Sequence, residues 1–418
     1  MSKGRTYDFV LLGATGYTGK LCSEYITTSL PSNLKWAIAG RSQSKLQSLV
    51  DSLKSLNAQG SQPDILEVQL TKADLDPLAM KTKIILNTVG PYHLYSTPVV
   101  EACVQNGTHY LDVSGETPWI KEIITKYQSA AKSKGVILIP EIGIESAPSD
   151  LVAYNATKLV RKVWECGVMD IICAVHELKL AGPSGGTLAS GLGLMDHYPA
   201  SEMKKAMTDP FYLSPSEFRP EPTTYQSPSK LTGVFEYPRL GHLTTSITAA
   251  PNVAIVQRSA GLTPLFYGFN FTYEEYMAVA SPIVGTLIHL ALIVMTFLMA
   301  IPPFRFVMKK LVTAPGAGPV ASKTASDVLE FRAIAVAEQL GKPRKALSTL
   351  RYEGGLYKLT GIFLAEGAMV LLESTEELTT KYGAGFLTPS CLGDKYIERL
   401  QKAGVQISVK QIGETGQK

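Results

Sequence analysis

Asp8-Phe-Val-Leu-Leu-Gly13-Ala-Thr-Gly16-Tyr-Thr-Gly19 decides how this chain folds. The apolar run to Leu12 has the length of a buried strand, and a helix-like stretch follows from Tyr17 to about Thr28. Between them lie glycines spaced three apart. A strand that turns through glycines into a helix leaves open backbone N–H groups at the helix N-terminus, where an anion binds. A pyrophosphate also needs close backbone approach, which glycine allows. Gly13, Thr15, Gly16, Tyr17, Thr18 and Gly19 are therefore the candidate cradle of a dinucleotide. The spacing G-x-x-G-x-x-G differs from the usual G-x-G-x-x-G, but its place after the first strand carries the argument.

Working outward, Leu34–Ala39, Asp64–Gln69, Lys83–Thr88, Thr108–Leu111 and Gly135–Ile139 read as five more strands. Helical patterns separate them, and in the 42–56 stretch Leu46, Leu49, Leu53 and Leu56 share one face. This alternation predicts an α/β fold: a doubly wound, parallel, Rossmann-type sheet over residues 1–150. The second strand ends in Ala39-Gly-Arg-Ser42. An acidic residue there would accept from the 2′-hydroxyl of NAD, whereas the Arg41 guanidinium suits a 2′-phosphate. The expected cofactor is NADPH, with Arg41, Ser42 and Lys45 as phosphate ligands.

Composition narrows the partners. The chain has 418 residues, with 40 Lys+Arg against 36 Asp+Glu, a formal net charge of +4. That excludes a nucleic-acid binder that works through a strong basic field. Charged residues make up 18%, below the roughly 25% of typical globular chains. Five cysteines without a C-x-x-C pair, and no histidine at zinc-ligand spacing, predict free thiols and no metal site. The N-terminus lacks the apolar core of a signal peptide, so the catalytic bulk is expected in the cytosol.

After a helix over about 149–163 the pattern changes. Asp170–Lys179, Leu243–Ala249, Asn252–Arg258, Asp327–Glu338 and Leu347–Gly354 read as strands of a second, mainly antiparallel α+β domain spanning 151–355. Residues 356–418 read as a helical segment packing back on the first domain. Proline-rich 210–238 reads as an extended surface excursion or a lid. From Tyr276 to Phe304 there is no Asp, Glu, Lys or Arg. Its centre, Ile283–Ile301, would be about 28 Å long as a helix, close to a bilayer's hydrocarbon thickness. Arg305, Lys309 and Lys310 follow it, as on a cytosolic membrane face. A single span would separate parts of one domain. The expectation is a monotopic insertion into a membrane or lipid droplet, as a hairpin bent near His289 or a helix lying in one leaflet. A buried core helix or an oligomer interface is the alternative.

Further motifs are Leu86-Asn-Thr-Val-Gly-Pro-Tyr92, His109-Tyr-Leu-Asp-Val-Ser-Gly-Glu116, Pro140-Glu-Ile-Gly-Ile-Glu-Ser-Ala-Pro-Ser-Asp150 and Gly182-Pro-Ser-Gly-Gly-Thr187. Tyr382-Gly-Ala-Gly-Phe-Leu-Thr-Pro389 and Gly393-Asp-Lys-Tyr-Ile-Glu-Arg-Leu400 follow near the end. With the glycine loop, and in this order, they resemble the saccharopine dehydrogenase-like oxidoreductases, a group that includes trans-acting enoyl reductases. The resemblance implies a dinucleotide domain joined to a substrate or dimerisation domain, and hence a possible homodimer. No basic cluster in the middle region suits the three carboxylates of saccharopine.

A nucleotide-dependent reductase needs hydride alignment, charge stabilisation and a proton source. Gly90 and Pro91 follow the fourth strand, where the nicotinamide ribose should pass. Tyr92 either donates a proton, binds a carbonyl or is a plain core aromatic. Asp112, Ser114 and Glu116 follow the fifth strand, as catalytic groups or as caps of the next helix. Glu145, Ser146, Ser149 and Asp150 follow the sixth, as cleft floor or, for Ser149, as a helix cap. Ser184, Gly185, Gly186 and Thr187 form either a substrate loop or a turn, and His93 and His109 are possible acids. The expected activity is NADPH-dependent reduction of a hydrophobic, lipid-like substrate, with enoyl C=C reduction favoured. A non-catalytic NADP-binding lipid-surface protein and a saccharopine-type imine reductase are the competing readings.

Overall fold

The computed structural model describes residues 4–182, 184–221, 228–311 and 318–413, with the side chains of 186–188, 309, 311 and 321 also outside the description. The chain opens with β1 (Tyr7–Leu12), α1 (Tyr17–Ser29), β2 (Trp36–Gly40), α2 (Gln43–Leu56), β3 (Asp64–Glu67), α3 (Lys72–Lys81) and β4 (Thr82–Asn87). It continues with α4 (Tyr92–Tyr95), α5 (Thr97–Asn106), β5 (His109–Asp112), α6 (Thr117–Ser133) and β6 (Ile137–Ile139). Local chemistry sets these boundaries. Ser42 caps α2, whose Leu46, Leu49, Val50 and Leu53 face inward. Gly107, at φ +68°, ends α5 in the left-handed conformation that glycine adopts readily.

The long helix α7 (Ala147–Trp164) leads to β7 (Val168–Lys179), α8 (Gly185–His197), α9 (Ala200–Thr208), β8 (Phe235–Tyr237) and β9 (Gly241–Thr245). Then come α10 (Ala249–Leu262), α11 (Pro264–Tyr267), β10 (Thr272–Val279), α12 (Pro282–Ala300), α13 (Pro302–Leu311) and α14 (Ala321–Thr324). The last elements are β11 (Val328–Ala337), β12 (Lys345–Glu353), α15 (Leu356–Tyr382), β13 (Gly385–Phe386), α16 (Gly393–Lys402) and β14 (Gln406–Ile412).

Two seven-stranded sheets result. The first runs β13-β6-β5-β4-β1-β2-β3 and is parallel throughout, so strand order reverses at β1. Ligands of such sheets bind beyond the strands' carboxyl ends at this reversal. The second runs β14-β12-β11-β7-β10-β9-β8 and is antiparallel except between β7 and β10. One large apolar core takes side chains from both halves, from Phe9 and Leu11 to Phe331 and Leu350. α7 covers the second sheet and α15 packs against α1.

Three expectations change. Asn252–Arg258 belongs to the helix α10, not to a strand; a short apolar run buried on several sides has no period that separates the two. β10 went unread because Glu274 and Glu275 interrupt its alternation, so the apolar excursion begins at Pro282 rather than 276. Residues after 356 are not only helical: β13 extends the first sheet and β14 the second.

α12 is continuous through His289. The chain instead turns at Ile301–Pro302, where Ile301 ends α12 and α13 begins. The base of α12 is docked: Thr244 Oγ1 donates to Gly285 O at 3.0 Å, and Thr245 Oγ1 pairs with His289 Nδ1 at 2.7 Å. Beyond that base it is bare, with Val294 56% and Phe297 71% exposed, and Gly285 in the base is the helix's one buried residue. It is long and apolar enough to cross a bilayer. The chain then returns to the body: Arg305 bonds Asp196 of α8 at 2.8 Å, and Tyr17 OH donates to Pro319 O at 2.6 Å. A fully buried helix is therefore excluded.

Candidate active site

The glycine loop has the shape a dinucleotide requires. Gly13 sits at φ +84°, and a Cβ there would lie 2.8 Å from Val89 Cγ2 and 2.9 Å from Thr88 Oγ1. A Cβ on Gly19 would collide with the carbonyl of Gly13. No side chain caps α1 at Gly16, so the N–H groups of Tyr17 and Thr18 remain open to an anion. Thr15 is exposed beside them. At the end of β2, exposed Arg41 has no hydrogen bond or ion pair among the described residues, and Ser42 Oγ accepts from Lys45 N at 3.5 Å. The cradle and the free guanidinium fit a dinucleotide bearing a 2′-phosphate.

Next to the cradle, β4 ends in Asn87 and the chain passes through a cis Gly90–Pro91 bond. Glu116 then caps α4. It accepts from Tyr92 N at 2.8 Å and His93 N at 2.7 Å, and its Oε2 lies 2.6 Å from His93 Nδ1. Burial alone would raise this carboxyl; the side-chain and backbone hydrogen bonds of His93 bring it below its usual value. Asp112 is fully buried and accepts from Tyr110 OH, Ser114 Oγ and the backbone of Ser114 and Glu141 at 2.7–3.1 Å. Burial pushes it up to about 6. Tyr92 packs on Trp119, points its OH at Asn87 O and is nearly inaccessible. Burial, with Asp112 and Glu116 nearby, raises its phenol well above 10.

The three expected catalytic groups are all bonded within the protein. Tyr92, Asp112 and Glu116 are buried, and their polar atoms find partners inside the protein. They shape the loops after β4 and β5. The helix-cap expectations shift in part: Ser114 binds Asp112, Glu116 stands at the N-cap of α6 while its side chain caps α4, and α7 starts after Ser146 rather than at Ser149. His109 lies at the start of β5, away from the carboxyl ends, where its Nδ1 accepts from Ile137 N. Burial lowers it to about 4.

Glu145 differs from these. It is half-buried, no hydrogen bond fixes it among the described residues, and its carboxyl lies against Gly115, where a Cβ would fall on its oxygens. Burial, then the charges of Glu116 and Glu275, push it up to about 7. Neighbouring Ser146 donates to Asn252 Oδ1 at 3.1 Å, and Asn252 in turn donates to Glu275 at 2.7 Å. Glu275 also accepts from Ser149, Thr248 and Tyr273. Ser146 thus belongs to a network joining α7 to α10 and β10. Gly115, Glu141, Asn252 and Glu275 escaped sequence reading because nothing local distinguishes them; their meeting is tertiary.

Ser184 approaches the cradle from the other side. Its N–H donates to Tyr357 OH at 2.6 Å, and the Tyr357 ring stands edge-on to Tyr17 at 5.1 Å. Gly185 and Gly186 open α8, which also contains Thr187; the side chains of Gly186 and Thr187 lie outside the described residues. A Cβ on Gly193 would press on the His93 imidazole, so α8 lies over α4. Among the described residues no cluster of His, Cys, Asp or Glu could hold a metal ion, and the five cysteines are free.

A parallel sheet with a glycine cradle at its order reversal and a carboxyl-lined corner beyond β5 and β6 defines a nicotinamide-dinucleotide oxidoreductase. Residues 9–139 match the family model of the saccharopine dehydrogenase NADP binding domain. The chain is 29% identical over 426 residues to a trans-acting enoyl reductase of Mycobacterium tuberculosis, covering 98% of this chain and 99% of that one. It is 28% identical over 423 residues to the protein of that name in Mycobacterium leprae, with the same coverage. Its fold is similar to that of saccharopine dehydrogenase (L-Glu forming) from Saccharomyces cerevisiae, with a TM-score of 0.54, 11% identity and coverage of 97% and 99%. The chain is thus similar over its whole length to saccharopine dehydrogenase-like oxidoreductases, and its NADP-binding domain takes NADPH.

Proposed function

We propose that this enzyme reduces a conjugated C=C bond of a hydrophobic acyl substrate while seated on a lipid surface. The full-length similarity to trans-acting enoyl reductases supports the reaction. The bare helix α12 supports the surface and carries this reading. Bound NADPH supplies a hydride to the β-carbon. The chain's own residues hold the pyrophosphate at Gly13–Gly19, hold the 2′-phosphate at Arg41 and Ser42, and enclose the acceptor between α8 and the loops after β4–β6.

The excursion suits one leaflet better than a span. Residues 290–300, beyond the docked base, extend about 16 Å as a helix, roughly half of a 30 Å hydrocarbon core. Both flanking strands, β10 and β11, belong to one sheet, so the chain must leave and return on one side. That supports a cytosolic body on the cytoplasmic face of a membrane or on a lipid droplet.

Turnover of NADPH with enoyl thioesters, free enones and cyclic imines tests the reaction. Enoyl compounds should be reduced; exclusive turnover of cyclic imines, or none at all, overturns it. Arg41→Ala should raise the KM for NADPH about 10–100-fold, the worth of one charge-assisted pair, and leave that for NADH within about threefold.

A further inference from the structure

Reduction of a double bond needs a proton as well as a hydride, and the polar atoms of buried Tyr92, Asp112 and Glu116 are already bonded within the protein. We propose that Glu145 supplies that proton as the general acid, held in place by Gly115. This rests on the reductase reading but not on the acceptor being an enoyl group.

Contacts lead directly from the cofactor loop to this carboxyl. Pro91 leads into Tyr92, whose N–H binds Glu116; Glu116 follows Gly115; and the Glu145 carboxyl lies on Gly115. Glu145 thus borders the corner where β4 and β5 end, beside the expected path of the nicotinamide ribose. On the opposite wall, Ser190 of α8 approaches Gly90, its Oγ 3.7 Å from where a Cβ would stand. Only glycine leaves room at position 115, because any side chain there would displace the carboxyl.

The surroundings are built to keep acids protonated. Glu141 lies four residues before Glu145, at φ +56° and 0% exposed, and neither of its carboxyl oxygens has a hydrogen-bond partner among the described residues. Burial and the charges of Glu145 and Asp112 raise it well above the usual range. The charges bearing on Glu145 are Glu116 after β5 and Glu275 from β10, and both oppose its ionisation. With its carboxyl near 7, Glu145 is matched to proton transfer at neutral pH. In the step, hydride bonds to one atom of the acceptor double bond. The Glu145 O–H breaks, and its proton bonds to the other atom. The acceptor gains two electrons and two hydrogens; the Glu145 carboxylate left behind regains a proton from solvent.

The test uses the full chain with Glu145→Gln and Gly115→Ala, read in two ways. In infrared titration, the wild-type minus Glu145→Gln difference should show one protonated carboxyl that ionises near pH 7 and shifts when NADP+ is added. In turnover, both variants should lose about 10²–10⁴ in kcat, keep NADPH affinity within about twofold and, near pH 4.5, unfold at a temperature close to that of wild type. Wild-type activity should fall as pH rises through 7. A Glu145→Gln enzyme within about threefold of wild-type kcat, or a difference spectrum without a carboxyl titrating near 7, overturns the proposal. If no enoyl compound is turned over, the acceptor reading fails by itself, and the infrared titration still decides the role of Glu145.

Discussion

Helices α12 and α15 are both largely apolar, yet they lie in opposite environments. α15 includes Lys358, Glu366, Glu373 and Lys381, but buries Phe363, Leu364, Val370 and Leu371 completely or nearly so. α12 has no charged residue, yet Gly285 is its one buried position. The more polar helix is core and the more apolar one is surface. Hydrophobicity therefore does not choose the interior; a matching face does. α15 meets α1 across a contact so close that a Cβ on Gly361 would lie 2.9 Å from Cys22 Cα. α12 rests on β9 over its first turns and then outruns the sheet. An apolar surface of that size marks an interaction site.

The largest effect that tests this contrast is on stability. Phe363→Ala should cost about 3–5 kcal/mol, read as a lowered denaturant midpoint, whereas Phe297→Ala should change stability by less than about 0.5 kcal/mol. Equal losses would mean that α12 is packed in solution. Next is lipid binding. Each exposed apolar chain that enters a bilayer contributes about 1.5–3 kcal/mol. Ile293→Asp with Phe297→Asp should therefore weaken sedimentation with anionic phospholipid vesicles more than tenfold and leave the unfolding temperature near wild type. Vesicle binding unchanged in this variant would remove the lipid role of α12.

The smallest effect concerns carboxyl groups. On α15, Glu366 is buried but partnered by Tyr25 at 2.5 Å and by Arg399. Glu145 has no such partners, and folding raises it from 4.5 to about 7. The stability tied to its protonated form is complete below pH 4.5 and is lost as pH rises through 7. Glu145→Gln should accordingly raise the unfolding temperature by a few degrees at pH 8 and leave it unchanged near pH 4.5. A uniform shift at both pH values would show that Glu145 does not titrate in this range.

The dinucleotide half was legible because its signals are local. Gly13, Gly16 and Gly19 sit between a strand and a helix, and Leu46, Leu49 and Leu53 repeat at helical spacing. Arg41 needed only its position at the end of β2. The catalytic corner was legible in outline only. Strand ends marked 112–116 and 145–150 as places for chemistry, but which carboxyl is left unpartnered depends on what packs around it. Glu116 and Glu145 look alike in the sequence, and only the approach of His93 to one and Gly115 to the other separates them. Asn252 and Glu275 reach the site from α10 and β10, more than a hundred residues after Ser146.

By itself, the sequence determined a doubly wound nucleotide domain, a preference for a 2′-phosphate and an uncharged stretch too apolar for an ordinary surface. Those properties follow from short-range periodicity and from residue types whose chemistry does not depend on distant neighbours. Only the tertiary structure decided that the stretch is a single helix bare beyond its base, turning at Ile301–Pro302 and not at His289. It also decided that Tyr92, Asp112 and Glu116 are buried and bonded within the protein, and that Glu145 has no hydrogen-bond partner among the described residues. Burial and hydrogen-bond satisfaction belong to the packed chain, because each depends on atoms that sequence distance keeps apart.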